Sequence, residues 1–286
     1  MKTDYEAKIL ADSINTVTGD RLTSFEVTFP RFILAEVNTH RMFSRNSASS
    51  RAIPVKKRLE AIGSSPFVPL AFTKNQRGMQ AKEVLDDKME GVARIAWLGA
   101  AKAACAFAGA LEACGVHKQH ANRLVEPFAW QTAIISATEW DNFYALRCHP
   151  DAQPEFKLVA DLMHNAMTHS NPEELQRGDW HLPMLTKDER ALFREARARG
   201  AEDMRRWVKI SAGRCARVSY LTHDGRRDPD ADVALCDRLH RSGHMSPLEH
   251  PAMAGDPGFC GNYKGFKQYR KFIPGEDVFR PGRDND

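Results

Sequence analysis

No Cys-x-x-Cys pair occurs among the six cysteines, Cys105, Cys114, Cys148, Cys215, Cys236 and Cys260. Free and mostly buried thiols are therefore expected, as in a reducing compartment. A charge surplus is missing too: 41 basic residues face 37 acidic ones, a net charge of +4. That balance argues against a dedicated nucleic-acid binder. No apolar run reaches the roughly 18 residues of a membrane span, and Met1-Lys2-Thr3-Asp4-Tyr5-Glu6 lacks a signal peptide's apolar core. A cytoplasmic protein with no membrane partner is the expectation. His117 and His120 could share a helical face, but no third or fourth ligand follows at a standard spacing, so no metal is predicted. The arginines at 190, 194, 197 and 199 have no aromatic platforms nearby and read as a solvated face rather than a nucleic-acid surface.

What the chain does have is a concentrated polar stretch, Asn38-Thr-His-Arg-Met-Phe-Ser-Arg-Asn-Ser-Ala-Ser-Ser-Arg51, on one long loop or within about four helical turns. Its arginines match phosphate oxygens as planar forks, and its serines add neutral donors that orient without adding charge. The same composition would also serve as a solvated serine-rich loop. Upstream, Ser24-Phe-Glu-Val-Thr-Phe-Pro-Arg-Phe-Ile-Leu-Ala35 alternates and then turns apolar, so a strand delivers the polar stretch to the interior.

Residues 5–11 and 21–37 read as strands around a Thr18-Gly19-Asp20 turn, and 52–76, with Pro54, Gly63, Pro66 and Pro69, as a long irregular connection. Met79 to Cys114 predicts a long helix or a helical pair broken near Gly99 or Gly109; its apolar part, Ala100 to Ala113, is expected to be buried between helices or subunits. Further helices are predicted over 128–147, 152–170, 187–197, 201–218 and 228–242, the last with Asp228 as N-cap and Pro229 in its first turn. Ser246-Pro247 repeats that start signal.

His40-Arg41-x-x-Ser44-x-Asn46-x-x-Ser49-x-Arg51 resembles the signature of the flavin-dependent thymidylate synthases, Arg-His-Arg followed by spaced Ser, Asn, Ser and Arg. Ala216-Arg217-Val218-Ser219 and His244-Met-Ser-Pro-Leu-Glu-His250 look like that family's Ala-Arg-Val-Ser and His-x-Thr/Ser-Pro-Phe-Glu-His. Arg123-Leu-Val-Glu-Pro127 and Leu146-Arg-Cys-His-Pro-Asp-Ala-Gln-Pro-Glu155 resemble its Arg-x-x-Leu-Pro and Leu-Arg...Ala-Gln-x-Glu. In the family the Ala-Arg-Val-Ser and Pro-Phe-Glu-His elements come first; here they come last, as in a circular permutation. Permutation is tolerable because domain termini usually lie close together at the surface.

The resemblance implies an α/β (α+β) fold, a mostly antiparallel sheet packed against long helices, in a single domain over 1–286. Within it, 1–51 is the N-terminal strand and signature, 77–210 a helical core, and 211–286 the permuted flavin and folate segment. It implies a homotetramer with FAD that moves a one-carbon unit from 5,10-methylenetetrahydrofolate to C5 of a pyrimidine deoxynucleotide monophosphate, dUMP first, using hydride from NADPH. By the same resemblance His40, Arg41, Ser44, Asn46, Ser136, Asn142, Ser219, His244 and Ser246 serve the cofactors; the helix start read at Ser246 is, by the chemistry of helix N-termini, also a ready place for a flavin phosphate. Ser47, Ser49, Ser50, Arg51 and Arg123 hold the nucleotide, aided by Gln268 and Arg270 of the tail. Arg147 matches the catalytic arginine: it stays protonated and stabilises a ring ionised at N3. The chain departs from the pattern at Glu36 (glutamine in the family), Thr39 (arginine), Ser47 (glutamate), Ser50 (glycine) and Ser136 (asparagine). A carboxylate at Glu36 suits an exocyclic amine, which opens dCMP as substrate and hydroxymethylation as outcome. An inactive nucleotide- or nucleic-acid-binding homologue is the reading from another class.

Overall fold

The computed structural model describes residues 4–78, 80–199, 201–220 and 228–278, without the side chains of 199, 201–203, 219 and 220. Ser219 is therefore described in its backbone alone. The first two strands, β1 (Glu6–Asn15) and β2 (Arg21–Pro30), form an antiparallel hairpin whose turn carries Gly19 at φ 76°. β2 is buried along nearly its whole length because it lies inside the five-stranded sheet, and this explains its apolar run. It ends at Pro30, which offers no amide hydrogen to a ladder, so the strand expected over 21–37 is shorter. Arg31–Ile33 instead form a 3-10 turn leading into α1 (Leu34–Val37).

The signature stretch holds a short strand, β3 (Ser44–Ser47), followed by α2 (Val55–Ser64) inside the segment expected to be irregular. α3 (Asp87–Ala113) is one unbroken helix through Gly99 and Gly109, with Asp86 accepting from the Met89 amide at its start. Within the single chain, Ala100–Ala113 buries Ala101 and Ala108, which face Ile62, Val125, Phe128 and Ala129; Phe107 is exposed. By length and composition α3 is also apolar enough to cross a bilayer, contrary to the absence of such a run expected above.

After the short α4 (Lys118–Ala121), the segment expected to be helical over 128–147 divides into β4 (Trp130–Ala137) and α5 (Asp141–Arg147). β4 lies between β3 and β2 and is buried at Ala133 through Ala137, and a strand covered on both faces has no two-residue polar alternation to read. α6 (Pro154–Thr168) sets Phe156, Val159, Ala160 and Met163 against Phe25, Val27 and Phe29 of β2. β5 (Glu173–Leu175) adds to β1 in parallel, completing the order β3-β4-β2-β1-β5. A second sheet joins β6 (Trp180–His181), β7 (Ala252–Cys260) and β8 (Tyr263–Gln268).

α7 (Lys187–Arg199) exposes Arg194 and Arg197 as expected, and both are ion-paired at the surface, Arg194 with Glu173 and Arg197 with Asp179; Arg190, also on Glu173, is half-buried. α8 (Ala201–Tyr220) crosses α9 (Pro229–Ser242), whose Asp228 caps the Ala231 amide as predicted and which ends in the left-handed Gly243. The crossing requires Gly213, where a Cβ would lie 2.2 Å from the Asp232 carbonyl oxygen. Gly213→Ala is expected to cost about 1–3 kcal/mol, because backbone cannot yield as a side chain does; urea unfolding measures it, and an unchanged midpoint would show that the helices can part freely.

Candidate active site

Elements far apart in sequence meet on β3. Asn46, buried on that strand, donates through Nδ2 to the Cys215 carbonyl of α8 (2.8 Å) and accepts at Oδ1 from His250 Nε2 (2.5 Å). Because Oδ1 only accepts, His250 carries its proton on Nε2, and its Nδ1 accepts from Ser136 Oγ at 2.8 Å. The direction then propagates. Ser24 Oγ donates to Ser136 Oγ (2.5 Å), His181 Nε2 donates to Ser24 Oγ (2.8 Å), and Ser13 Oγ donates to His181 Nδ1 (2.9 Å). Each buried donor in this line has an acceptor, as burial requires. Burial holds both histidines near pKa 3, so both stay neutral.

The tail reaches the same strand. Gln268 Nε2 and Asn262 Nδ2 donate to Ser44 Oγ at 2.8 and 3.3 Å, and Tyr263 is buried beside Ser44, Ser136 and Gln268. Arg270, predicted with Gln268 for the nucleotide, pairs instead with Glu249 and Glu276. Ser44, Asn46 and Ser136 are cofactor contacts by the family pattern. They are buried, and their polar groups bind one another's neighbours, so in this arrangement they build the wall.

At the start of the signature, Arg147 donates Nε–H to His40 Nε2 at 2.9 Å and lies over the Phe156 ring, 4.5 Å from its centroid. His40 is packed among Phe43, Phe143 and Phe156. Burial first, then Arg147 and Arg45, push its pKa down to about 4, so the ring is neutral and free to accept from Arg147. At the other end Ser50 is buried, Ser49 and Arg51 are exposed, and Ser50 and Arg123 both reach Glu126. Glu155, in the element that resembles Ala-Gln-x-Glu, accepts from the Leu70 amide at 3.0 Å and so ties down the connection over the sheet.

Several predicted groups stay on the surface. Ser47 is half-buried on β3; Arg41, Asn142 and Ser246 are exposed; His244 Nδ1 meets Ser242 Oγ at 2.9 Å. Ser246 does not cap a helix as expected: Ser246–Glu249 is a single 3-10 turn that follows Met245, with no side-chain cap. That turn is too short to present the phosphate-binding helix start predicted there. Arg31, Glu126, His181 and His250 join the site without a role expected from the sequence. Arg31 did carry a signal, as the one charge in the apolar stretch after Pro30.

The family model described as thymidylate synthase complementing protein matches residues 5–173. The chain belongs to that family, and so to the flavin-dependent thymidylate synthase-like methyltransferases. No curated protein sequence matches it. Similar solved structures include a UMP/dUMP methylase PolB from Streptomyces cacaoi bound with 5-Br UMP, at 16% identity and TM-score 0.48, covering 58% of this chain and 89% of that one. The same methylase bound with 5-Br dUMP gives 16% and 0.47, covering 58% and 90%.

The family implies FAD, and three of the residues expected to serve it are donors of the kind a pyrophosphate takes. Arg41, Asn142 and Ser246 are exposed, and their side chains have no partner among the described residues. A guanidinium with neutral donors is the set that a pyrophosphate takes. Among the described residues no three potential metal ligands gather.

Proposed function

We propose that the protein transfers a one-carbon unit from 5,10-methylenetetrahydrofolate to C5 of a pyrimidine nucleotide monophosphate, dUMP in the first instance, with NADPH as reductant. The observation that carries this is Arg147 held on a neutral His40, a fixed cation whose other N–H groups have no partner among the described residues. A bound flavin supplies the hydride chemistry, and the protein binds, orients and polarises. Ser49, Ser50, Arg51 and Arg123 hold the phosphate and sugar. Arg147 stabilises the base as negative charge moves onto its N3 side, which makes C5 nucleophilic. His40 fixes the guanidinium's direction without neutralising it, because an uncharged ring takes one hydrogen and leaves the charge in place. Arg41, Asn142, His244 and Ser246 face the cofactors from the rim, while Ser44, Asn46 and Ser136 keep the wall behind it in register.

The meeting of residues 215, 250 and 268 with the signature strand supports both the circular permutation and one domain over 1–286. The exposed apolar residues of α3, among them Met89, Val92, Ile95 and Phe107, support assembly into a homotetramer.

A second base is favoured by one atom. Glu36 Oε2 is buried and has no partner among the described residues, where the family's glutamine would offer a donor. An acceptor there suits the exocyclic amine of dCMP. Glu36→Gln is expected to raise the ratio of dUMP to dCMP kcat/KM by about 10- to 100-fold, the usual size of a hydrogen-bond mismatch at a base. Competing the two nucleotides in one reaction reads this out; an unchanged ratio would remove Glu36 from base selection.

The test of the function begins with the visible spectrum of the purified protein. dUMP and dCMP are then incubated separately with the folate and NADPH, and the nucleotides are weighed by mass spectrometry. Bound flavin and a gain of one methyl or hydroxymethyl group on one nucleotide are expected. A protein that takes up no FAD and returns both nucleotides unchanged would leave a binding homologue.

A further inference from the structure

Three donors converge on one carboxylate behind the signature strand. Glu126 Oε1 accepts from Ser50 Oγ and from Arg123 Nη1 (2.9 Å, with Oε2 at 3.2 Å), and it lies 2.9 Å from Arg31 Nη2. The three donors differ in freedom. Ser50 is fully buried; Arg31 is nearly so and is also fixed by the side chain of Gln131 and the Ala48 carbonyl. Arg123, whose side chain is 56% exposed, can move.

Two departures from the family pattern meet in this contact. Glu126 stands where Arg-x-x-Leu-Pro has leucine, and Ser50 stands where the signature has glycine; here they bond to each other. Burial would raise the Glu126 carboxyl, but Ser50, Arg31 and Arg123 together hold it below the usual range, so it is an anion at working pH. Beside it Arg58 is 1% exposed, and among the described residues only its Nη1 reaches an acceptor, the Trp130 carbonyl at 3.4 Å. Three guanidiniums thus gather around one carboxylate, and the group carries an excess of two positive charges, room in charge for a second anion.

We propose that Glu126 is an internal stand-in for the substrate's phosphate: its carboxylate occupies Ser50 and Arg123 in the free protein, and an entering nucleotide phosphate displaces it and inherits Arg31 as a buried anchor. This rests on the assignment of Ser50 and Arg123 to the nucleotide under the proposed function. Carboxylate and phosphate take the same fork from arginine, but two anions on the same hydrogens repel, so one must leave. The exposed side chain of Arg123 makes the exchange possible without unfolding the strand. An internal competitor lowers apparent affinity by the fraction of time it holds the donors. Its removal should therefore tighten binding.

Inorganic sulfate is the probe for affinity and dUMP the probe for geometry. Calorimetry on the flavin-loaded protein is expected to show sulfate binding about tenfold tighter in Glu126→Gln than in the wild type, within the usual size of competitive coupling. Equal or weaker binding by the folded variant, or no binding by either, overturns the proposal and makes Glu126 a support for Arg123. Should the variant fail to fold, a crystal structure of the wild type with dUMP decides. The phosphate on Ser50 and Arg31 with Glu126 turned away supports the exchange; the phosphate elsewhere with Glu126 still on Ser50 refutes it. The assigned function is judged separately. Turnover of a nucleotide without tighter sulfate binding in the variant removes only the stand-in, whereas absent turnover removes the function and leaves the sulfate comparison readable.

Discussion

Arg147→Ala lowers kcat by about 10²- to 10³-fold with little change in folding, the loss seen when a preorganised donor to developing charge is removed. The side chain is positioned from two directions, by His40 at 2.9 Å and by the face of Phe156 at 4.5 Å. Alanine removes both the charge and the direction. Arg147→Lys keeps the charge but loses the planar fork, and is expected to recover only part of the activity. His40 reports on the same contact. Its low pKa comes from burial first and Arg147 second, so the alanine variant raises that pKa while burial still keeps it below the ordinary value. Steady-state kinetics with an NMR titration of His40 checks both. Wild-type turnover in Arg147→Ala would end its catalytic assignment.

Acid is expected to unfold the protein well before its carboxylates titrate. His181 and His250 are fully buried in the hydrogen-bonded line that joins β1, β2, β4 and β3 to the second sheet, and both have folded pKa values of about 3. A lowered histidine pKa means that the unfolded chain takes the proton first. The stabilisation is complete above the unfolded value near 6.5 and is lost as the pH falls toward about 3, by about 1.4 kcal/mol per pH unit for each histidine. His40 acts in the same direction down to about 4, less strongly because it is only half-buried. Carboxylates join later. Burial alone would raise Glu189, but Arg214 and Thr186 hold it at about 2, so its contribution fades only below its unfolded value near 4.5. Urea midpoints between pH 7.5 and 5 should drop steeply at constant m. A flat profile above pH 5 would mean that the histidines are charged or wet.

Much of the frame can be read from residue order alone. Asp228-Pro229 announces α9, the Thr18-Gly19-Asp20 turn announces the first hairpin, and α6 falls within the stretch read as helix. β4 could not be separated from helix, since Ala133-Ile134-Ile135-Ser136-Ala137 is buried throughout and shows neither period. The hydrogen-bonded line was hidden for another reason. Ser13, Ser24, Ser136, His181 and His250 are ordinary polar residues until tertiary pairing buries them together. Family likeness joined Ser50 to Arg123 but could not supply Glu126, because the likeness describes a leucine there. The position that departs from the pattern is the one that carries new information.

Transfer to C5 must expel the hydrogen that C5 carries. The most direct measurement is therefore tritium release to water from dUMP and from dCMP labelled at C5, with 5,10-methylenetetrahydrofolate, NADPH and FAD present. Release from one nucleotide, dependent on the folate and lost in Arg147→Ala, is the predicted result. Retention of tritium in both nucleotides by a folded, flavin-loaded protein would contradict C5 chemistry.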